Sequence, residues 1–230
     1  YGNHFSQTNQ NYQPRFLSNG LNQRASVSAD GSDGLFNSSG LFSSGEKIAD
    51  YTIIAVVQPS ALSGWQQVYG IGYAGDEPAI VTQDSKLSYY QRNSGLADSV
   101  SSKYDLTPDS LQNNKPYILF WNIGQESGEI QIGFLGDSLR SVESLNLTTA
   151  QTQSASYLPN GVFAGLHNGS PNEAFSGQIS ELLLFRKSLS EAEQNKVIAH
   201  LSRKWGLEAT VDSDGNGTLD ANEPSGVQWA

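Results

Sequence analysis

Residues 177–207 read GQISELLLFRKSLSEAEQNKVIAHLSRKWGL, and the period of the chain changes inside them. Gly177 to Lys187 is a strand-length run whose apolar centre is Leu182 to Phe185. From Ser190 the apolar residues move to helical spacing, and Val197, Ile198, Leu201 and Trp205 fall on one face. Ser190 stands at the N-cap with Glu193 three residues on, the spacing of a capping box. Gly206 can take the left-handed backbone conformation that closes such a helix. The pattern predicts a helix over Ser190–Trp205. A helix with a single apolar stripe must lie on another element, and the strands that precede it are the natural partner.

Those strands extend far upstream. YTIIAVVQP (Tyr51 to Pro59) is rich in β-branched residues and is stopped by Pro59, which has no N–H to give a ladder. Further strand-like runs are VYGIGY, PAIVT, KLSYYQR, PYILFWNI, EIQIGFLG and GVFAGLH, with turn residues between nearly all of them. Before residue 45 the chain is rich in Ser, Asn, Gln and Gly, with short apolar pieces that read as edge strands and turns. Many short strands and one late helix predict an all-β, two-sheet antiparallel sandwich over roughly Phe16 to Arg186. Residues 1–207 form this unit with its capping helix, and residues 208–230 form a tail or linker.

Composition narrows the function. Thirteen basic against 23 acidic residues give a net charge of −10, and no cluster of Lys and Arg is present to replace phosphate counterions, which argues against a nucleic-acid surface. No apolar run approaches the ~20 residues of a membrane span. The absence of cysteine excludes disulfides and thiol chemistry. A chain that starts at Tyr1 reads as a mature or excised fragment.

With these elements in place, ASVSADGSDGLF (Ala25 to Phe36), YTIIAVVQP, GVFAGLHNG (Gly161 to Gly169) and Phe175 to Leu207 together resemble the concanavalin A-like, laminin-G-like jelly rolls of bacterial exported proteins. The last piece is the most specific: a Gly-led strand, a hydrophobic strand, Leu-Ser-x-x-Glu opening a helix, and Lys-Trp-Gly closing it. The resemblance implies a jelly-roll sandwich, a secreted or cell-surface setting, neighbouring domains in a larger chain, and one of three roles: a carbohydrate-binding or adhesin module, a structural spacer, or a polysaccharide-degrading enzyme.

The residues give little support to the enzyme. Retaining glycosidases need two carboxylates about 5 Å apart, at i and i+2 or i+4 on a strand. The Glu-x-Asp-x-x-Glu string of this fold's glucanases is missing, and Glu126, Glu129, Glu143 and Glu181 stand singly. His4, His167 and His200 do not make metal-ligand spacing, and no Gly-x-Ser-x-Gly elbow occurs. No catalytic residue is assigned. For binding, an aromatic face with amide, guanidinium and imidazole donors suits a glycan. The candidates are Trp65, Tyr90, Arg92, His167 and Asn168, each of which is equally open to a plain packing or surface role. Trp121 and Trp205 read as core.

The tail carries a sharper motif. DSDGNGTLDANE (Asp212 to Glu223) matches a calcium loop position by position. Asp212, Asp214 and Asn216 stand at positions 1, 3 and 5, Gly217 makes the turn, the Thr218 carbonyl serves position 7, Asp220 position 9, and Glu223 closes the shell. Pro224 follows at once, so no exiting helix is expected. The loop looks like the single calcium loops of dockerin-type repeats, and implies calcium as a structural cofactor. DGSDG (Asp30 to Gly34), with Asp30 and Asp33, reads as a turn or a second calcium site. The expected function is a calcium-stabilised, non-catalytic glycan-binding module.

Overall fold

The computed structural model describes residues 4–37, 50–71, 79–92, 101–105, 109–124, 129–146, 160–167 and 170–223. Its strands in chain order are β1 Arg15–Leu17, β2 Ser26–Asp30, β3 Leu35–Asn37, β4 Asp50–Pro59, β5 Trp65–Ile71, β6 Ala79–Gln83, β7 Lys86–Arg92 and β8 Ser101–Asp105. There follow β9 Tyr117–Gly124, β10 Glu129–Gly136, β11 Leu139–Asn146, β12 Asn160–Val162, β13 Gly165–His167, β14 Ser170–Asn172 and β15 Ser176–Phe185, and then the helix α1 Glu191–Trp205. Among the described residues one sheet has seven strands, in the order β1-β2-β15-β4-β9-β10-β11, and a second has six, in the order β3-β12-β5-β6-β7-β8. Every ladder in both is antiparallel. The predicted all-β, two-sheet sandwich with one C-terminal helix is the observed architecture.

Alternation along the central strands shows why the helix is needed. On β4, Tyr51, Ile53, Ala55 and Val57 belong to the core between the sheets, while Ile54 and Val56 belong to a second apolar cluster on the outer face. On β9, Tyr117, Leu119, Trp121 and Ile123 point inward, and Ile118 and Phe120 outward. A sandwich covers one face of each sheet, so these strands would leave the outer rows in water. Ile198, Leu201 and Trp205 of α1, with Leu189, Leu207 and Val211 beside it, close that outer cluster. Trp121 lies in the inter-sheet core and Trp205 under the helix.

Two devices hold α1 in place. Its N-terminus has the complete capping box between Ser190 and Glu193, and Gly206 closes it in the left-handed conformation, φ 64°. Beneath the entry, Asn122 of β9 gives its Nδ2–H to the Leu189 carbonyl (3.0 Å) and accepts the Leu189 N–H at Oδ1 (2.8 Å). Thr52 Oγ1 lies 2.6 Å from the same Asn122 oxygen and also accepts the Leu189 N–H. At the other end a β-bulge in β15 between Ile179 and Glu181 reverses which side chains face the core. Ile179, Leu182 and Leu184 point inward, and Leu183 and Phe185 outward. The bulge therefore delivers Glu181 to the helix, where it accepts from Lys204 Nζ (2.8 Å) and Trp205 Nε1 (2.7 Å).

The strand reading needs amendment in four places. GVFAGLH is not one strand. Phe163 turns the chain with φ 71°, so β12 and β13 are separate, and its buried ring stacks on Phe175 at 6.5 Å. Three strands were not foreseen: β8 (SSKYD) and β11 (LRSVESLN), both at sheet edges, and β14 (SPN), which pairs with β13 alone.

Trp205 is 5% exposed, so Trp205→Ala should lower unfolding free energy by ~3–5 kcal/mol, read by chemical denaturation; an unchanged midpoint would contradict the packing. Glu193 gives a pH signature. Lys187 Nζ, and then the Ser190 N–H and hydroxyl, lower its pKa from an ordinary 4.5 to about 2. Its stabilising contribution is thus complete above about pH 4.5 and lost as pH falls to about 2. Glu193→Ala should melt below the parent at neutral pH, and thermal melts of the two should converge towards pH 2.

Candidate functional site

The expected ligand residues occupy the six-stranded sheet and the hairpin beside it. Trp65 opens β5, half-buried, opposite Gln83 of β6. Tyr90 lies in β7 opposite Ala79 of β6 and Lys103 of β8, and Arg92 pairs with Ser101. Gln83 and Ala79 are four residues apart along β6, which separates Trp65 from Tyr90 by about 13 Å in the strand direction. The sheet thus holds Trp65 at one end and Tyr90 with Arg92 at the other. His167 ends β13, paired with Ser170 of β14; Asn168 lies outside the described residues.

The β13–β14 hairpin is fastened two residues along from Trp65. The Gln67 N–H donates to the Glu173 carbonyl (2.6 Å), and Gln67 Nε2 to Glu173 Oε2 (2.7 Å). Gln66 braces the same corner: its Nε2 donates to the Ala61 and Ser63 carbonyls, both at 3.1 Å, and its Oε1 accepts the Ser176 N–H. Two adjacent glutamines are thus spent as fixed brackets, one holding the loop before β5 and one the hairpin. The fold therefore fastens the foot of the hairpin, at Glu173, beside Gln67, two residues from Trp65.

The C-terminal loop is pinned to the opposite sheet. Arg140 of β11 donates from Nη1 to the carbonyls of Asp212 (3.2 Å) and Ser213 (2.8 Å), and the Ser138 N–H donates to the Thr210 carbonyl (3.0 Å). Inside the loop, Asp212 accepts the N–H groups of Gly215 (2.8 Å) and Gly217 (2.9 Å), which requires the positive φ of 88° that Gly217 adopts. Asp214 accepts the Asn216 N–H, and Asn216 Nδ2 bridges Asp214 (3.1 Å) and Glu223 (2.7 Å). Asn216 Oδ1 accepts the Thr218 N–H (2.7 Å). Asp220 takes the Ser213 N–H at Oδ1 (2.8 Å), while its Oδ2 is buried with no partner among the described residues. Among the described residues no three His, Asp or Glu side chains are gathered as a ready metal-ligand set.

Sequence reasoning missed Arg140 as the anchor of this loop. The contact spans 72 residues, and nothing local signals it. In DGSDG, the Ser32 hydroxyl and N–H bond to Asp30 and hold its pKa low, whereas burial raises that of Asp33, which accepts the Asp30 N–H. That turn closes on itself. Of the carboxylates weighed for catalysis, Glu181 is committed to Lys204 and Trp205.

No protein-family profile matches the chain, and no curated protein matches it in sequence. Solved structures share its fold. The CBM40 of Ruminococcus gnavus IT-sialidase superposes with a TM-score of 0.58 at 12% identity, over 73% of this chain and 93% of that one; the same module has been solved bound to α2,3-sialyllactose. Tailspike protein 2 of Escherichia coli O157:H7 bacteriophage CAB120 gives 0.57 at 18% identity, over 94% of this chain and 29% of that one. Domain 4 of AbnA, an extracellular arabinanase of Geobacillus stearothermophilus solved with arabinotriose, gives 0.52 at 12% identity over 79% of each chain. The chain is a two-sheet antiparallel sandwich that resembles these structures in fold.

Proposed function

We propose that this domain is a non-catalytic glycan-binding module of a secreted or cell-surface protein, and that calcium stiffens its C-terminal loop. The observation that carries the reading is the fold: the same sandwich, over most of its length, serves as a binding module in the sialyllactose and arabinotriose complexes. The acidic composition and the missing Glu-x-Asp-x-x-Glu string agree with binding in preference to cleavage. The glycan contacts the Trp65 end of the six-stranded sheet, with His167 and Asn168 as further ligand residues. Tyr90 and Arg92, ~13 Å away along the strands, engage a further part of a chain long enough to cross the sheet.

Calcium fits the donors of the loop. Asp212, Asp214, Asn216, the Thr218 carbonyl, Asp220 and Glu223 would hold it, and the unpartnered Asp220 Oδ2 is the oxygen most in need of a cation. When bound, the ion supplies neutralisation of four carboxylates. The chain's own part is positioning: Arg140 fixes the carbonyls at Asp212 and Ser213 and so holds the first ligand against β11.

Calorimetry should detect calcium binding at ~10⁻⁴–10⁻³ M, a range suited to a single extracellular loop, and Glu223→Gln should abolish the heat. No heat from the parent protein would remove calcium from the proposal without touching the sandwich. Titration of a polysaccharide panel, with product analysis on the same samples, should give dissociation constants of ~10⁻⁵–10⁻³ M, weakened by Trp65→Ala, and no cleavage. Release of reducing ends or unsaturated products would make the domain an enzyme. Silence across the panel from folded protein would leave it a spacer between domains.

A further inference from the structure

The outer face of the seven-stranded sheet carries two cross-strand rows of opposite character. One row, Ile54–Phe120–Gly133–Val142, is apolar and packs in the cluster that α1 covers, with the Phe120 ring lying where a side chain at Gly133 would stand. The next row, one alternation along, is Thr52–Asn122–Gln131–Ser144, and every member is polar. Thr52 and Asn122 are used by the helix entry. Gln131 and Ser144 make no side-chain hydrogen bond with any described residue, although Gln131 is partly buried.

Above this free half of the row lies a cavity of about 240 Å³, walled by the first turn of α1. Gln194 is one of its lining residues. That side chain is 5% exposed, and its Nε2 is committed to the Leu189 carbonyl at 3.0 Å, which fixes the amide so that Oε1 is the free end. Oε1 accepts no hydrogen bond from any described residue and is not sealed from solvent. A glutamine nineteen-twentieths buried thus shows one acceptor oxygen at the cavity wall, open to water or to a ligand. Glu129 and Glu191 stand at the rim, neither in an ion pair with a described residue, and no Lys or Arg is among the described residues that line the space.

We infer that this cavity is a second ligand site, separate from the Trp65 surface and on the other sheet, for a single neutral or amine-bearing sugar residue. Its wall offers an excess of acceptors: the Gln194 oxygen, two carboxylates, and the Ser144 and Gln131 oxygens. The matching ligand is rich in donors, and a polyhydroxyl ring supplies them. The volume lies below the ~300–1,000 Å³ of drug-sized sites, which allows one ring and not a chain. The carboxylates set specificity, because a sialic or uronic acid would bring a third negative charge against two that have no cation to balance them.

Amide-resolved NMR of the whole 230-residue chain tests this, using methyl glycosides of neutral hexoses, an amino sugar, a uronic acid and sialic acid as probes. Neutral or amino-sugar glycosides should shift the amides of Asn122, Gln131, Ser144 and Gln194 in a saturable way, and the acidic sugars should not. The double variant Glu129→Gln/Glu191→Gln, altered at two exposed positions, should bind the neutral probe about tenfold more weakly and lose the discrimination against acidic sugars. Shifts confined to the Trp65 end would overturn this second site and leave the proposed glycan-binding function standing. Shifts at the cavity with calcium alone and none with sugars would make it an ion site and sink the inference. Equal response to acidic and neutral sugars in the parent would refute the specificity.

Discussion

Strands β4 and β9 are apolar on both faces, and most of the architecture answers that constraint. The inward rows are covered by the six-stranded sheet. The outward rows of Ile54, Val56, Ile118 and Phe120 have no sheet to meet, and exposing them would forfeit ~25 cal/mol for each Å² of apolar surface left in water. Helix α1 fills this role, and each feature that positions it is anchored on a buried element: Asn122 and Thr52 under its entry, Glu181 under its exit. The bulge in β15 belongs to the same solution, because without it Glu181 would point into an apolar core.

Covering a face with a helix also decides where chemistry can sit. The helix lies over the apolar rows, so polar groups on that face remain accessible beyond its first turn and along the β10–β11 edge. The first turn borders the Gln194 cavity, and the β11 edge receives the C-terminal loop through Arg140. On the opposite sheet, the paired glutamines at 66 and 67 spend their amides on backbone and Glu173, making a rigid corner next to Trp65. Binding surfaces in this domain are therefore set by elements whose first task is packing.

The parts of this arrangement that depend on neighbours in sequence were legible. The capping box, the helix stripe and the Gly206 stop are each written within a few residues, and the structure reproduces them at Ser190, Glu193 and Gly206. The spacing of oxygens from Asp212 to Glu223 is local in the same way. What escaped is either long-range or hidden by composition. Arg140 meets Ser213 across 73 residues. The polar row of Thr52, Asn122, Gln131 and Ser144 exists only once four strands are in register. LRSVESLN carries charges and serines on an edge strand, where one-sided burial permits them, and so lacked an apolar signature. In GVFAGLH the alternation of small and apolar residues continued smoothly through Phe163, and long-range contacts hold that residue in a conformation its side chain disfavours: its N–H donates to the Val68 carbonyl, its carbonyl accepts the Phe175 N–H, and its ring stacks on Phe175.

The position of β15 has a consequence for how the chain reaches this state. It lies between β2 and β4, and β12 similarly joins β3 to β5, so in both sheets an early segment is attached through a late one. During synthesis the edge of β4 has no partner on that side until residues 176–185 emerge, and β1 with β2 has nothing to dock on. Such topology implies a high contact order, slow folding, and a nascent intermediate that presents an open, strongly apolar strand edge. For a chain of this kind, the gap between β2 and β4 closes only when β15, the last strand to be made, takes its place.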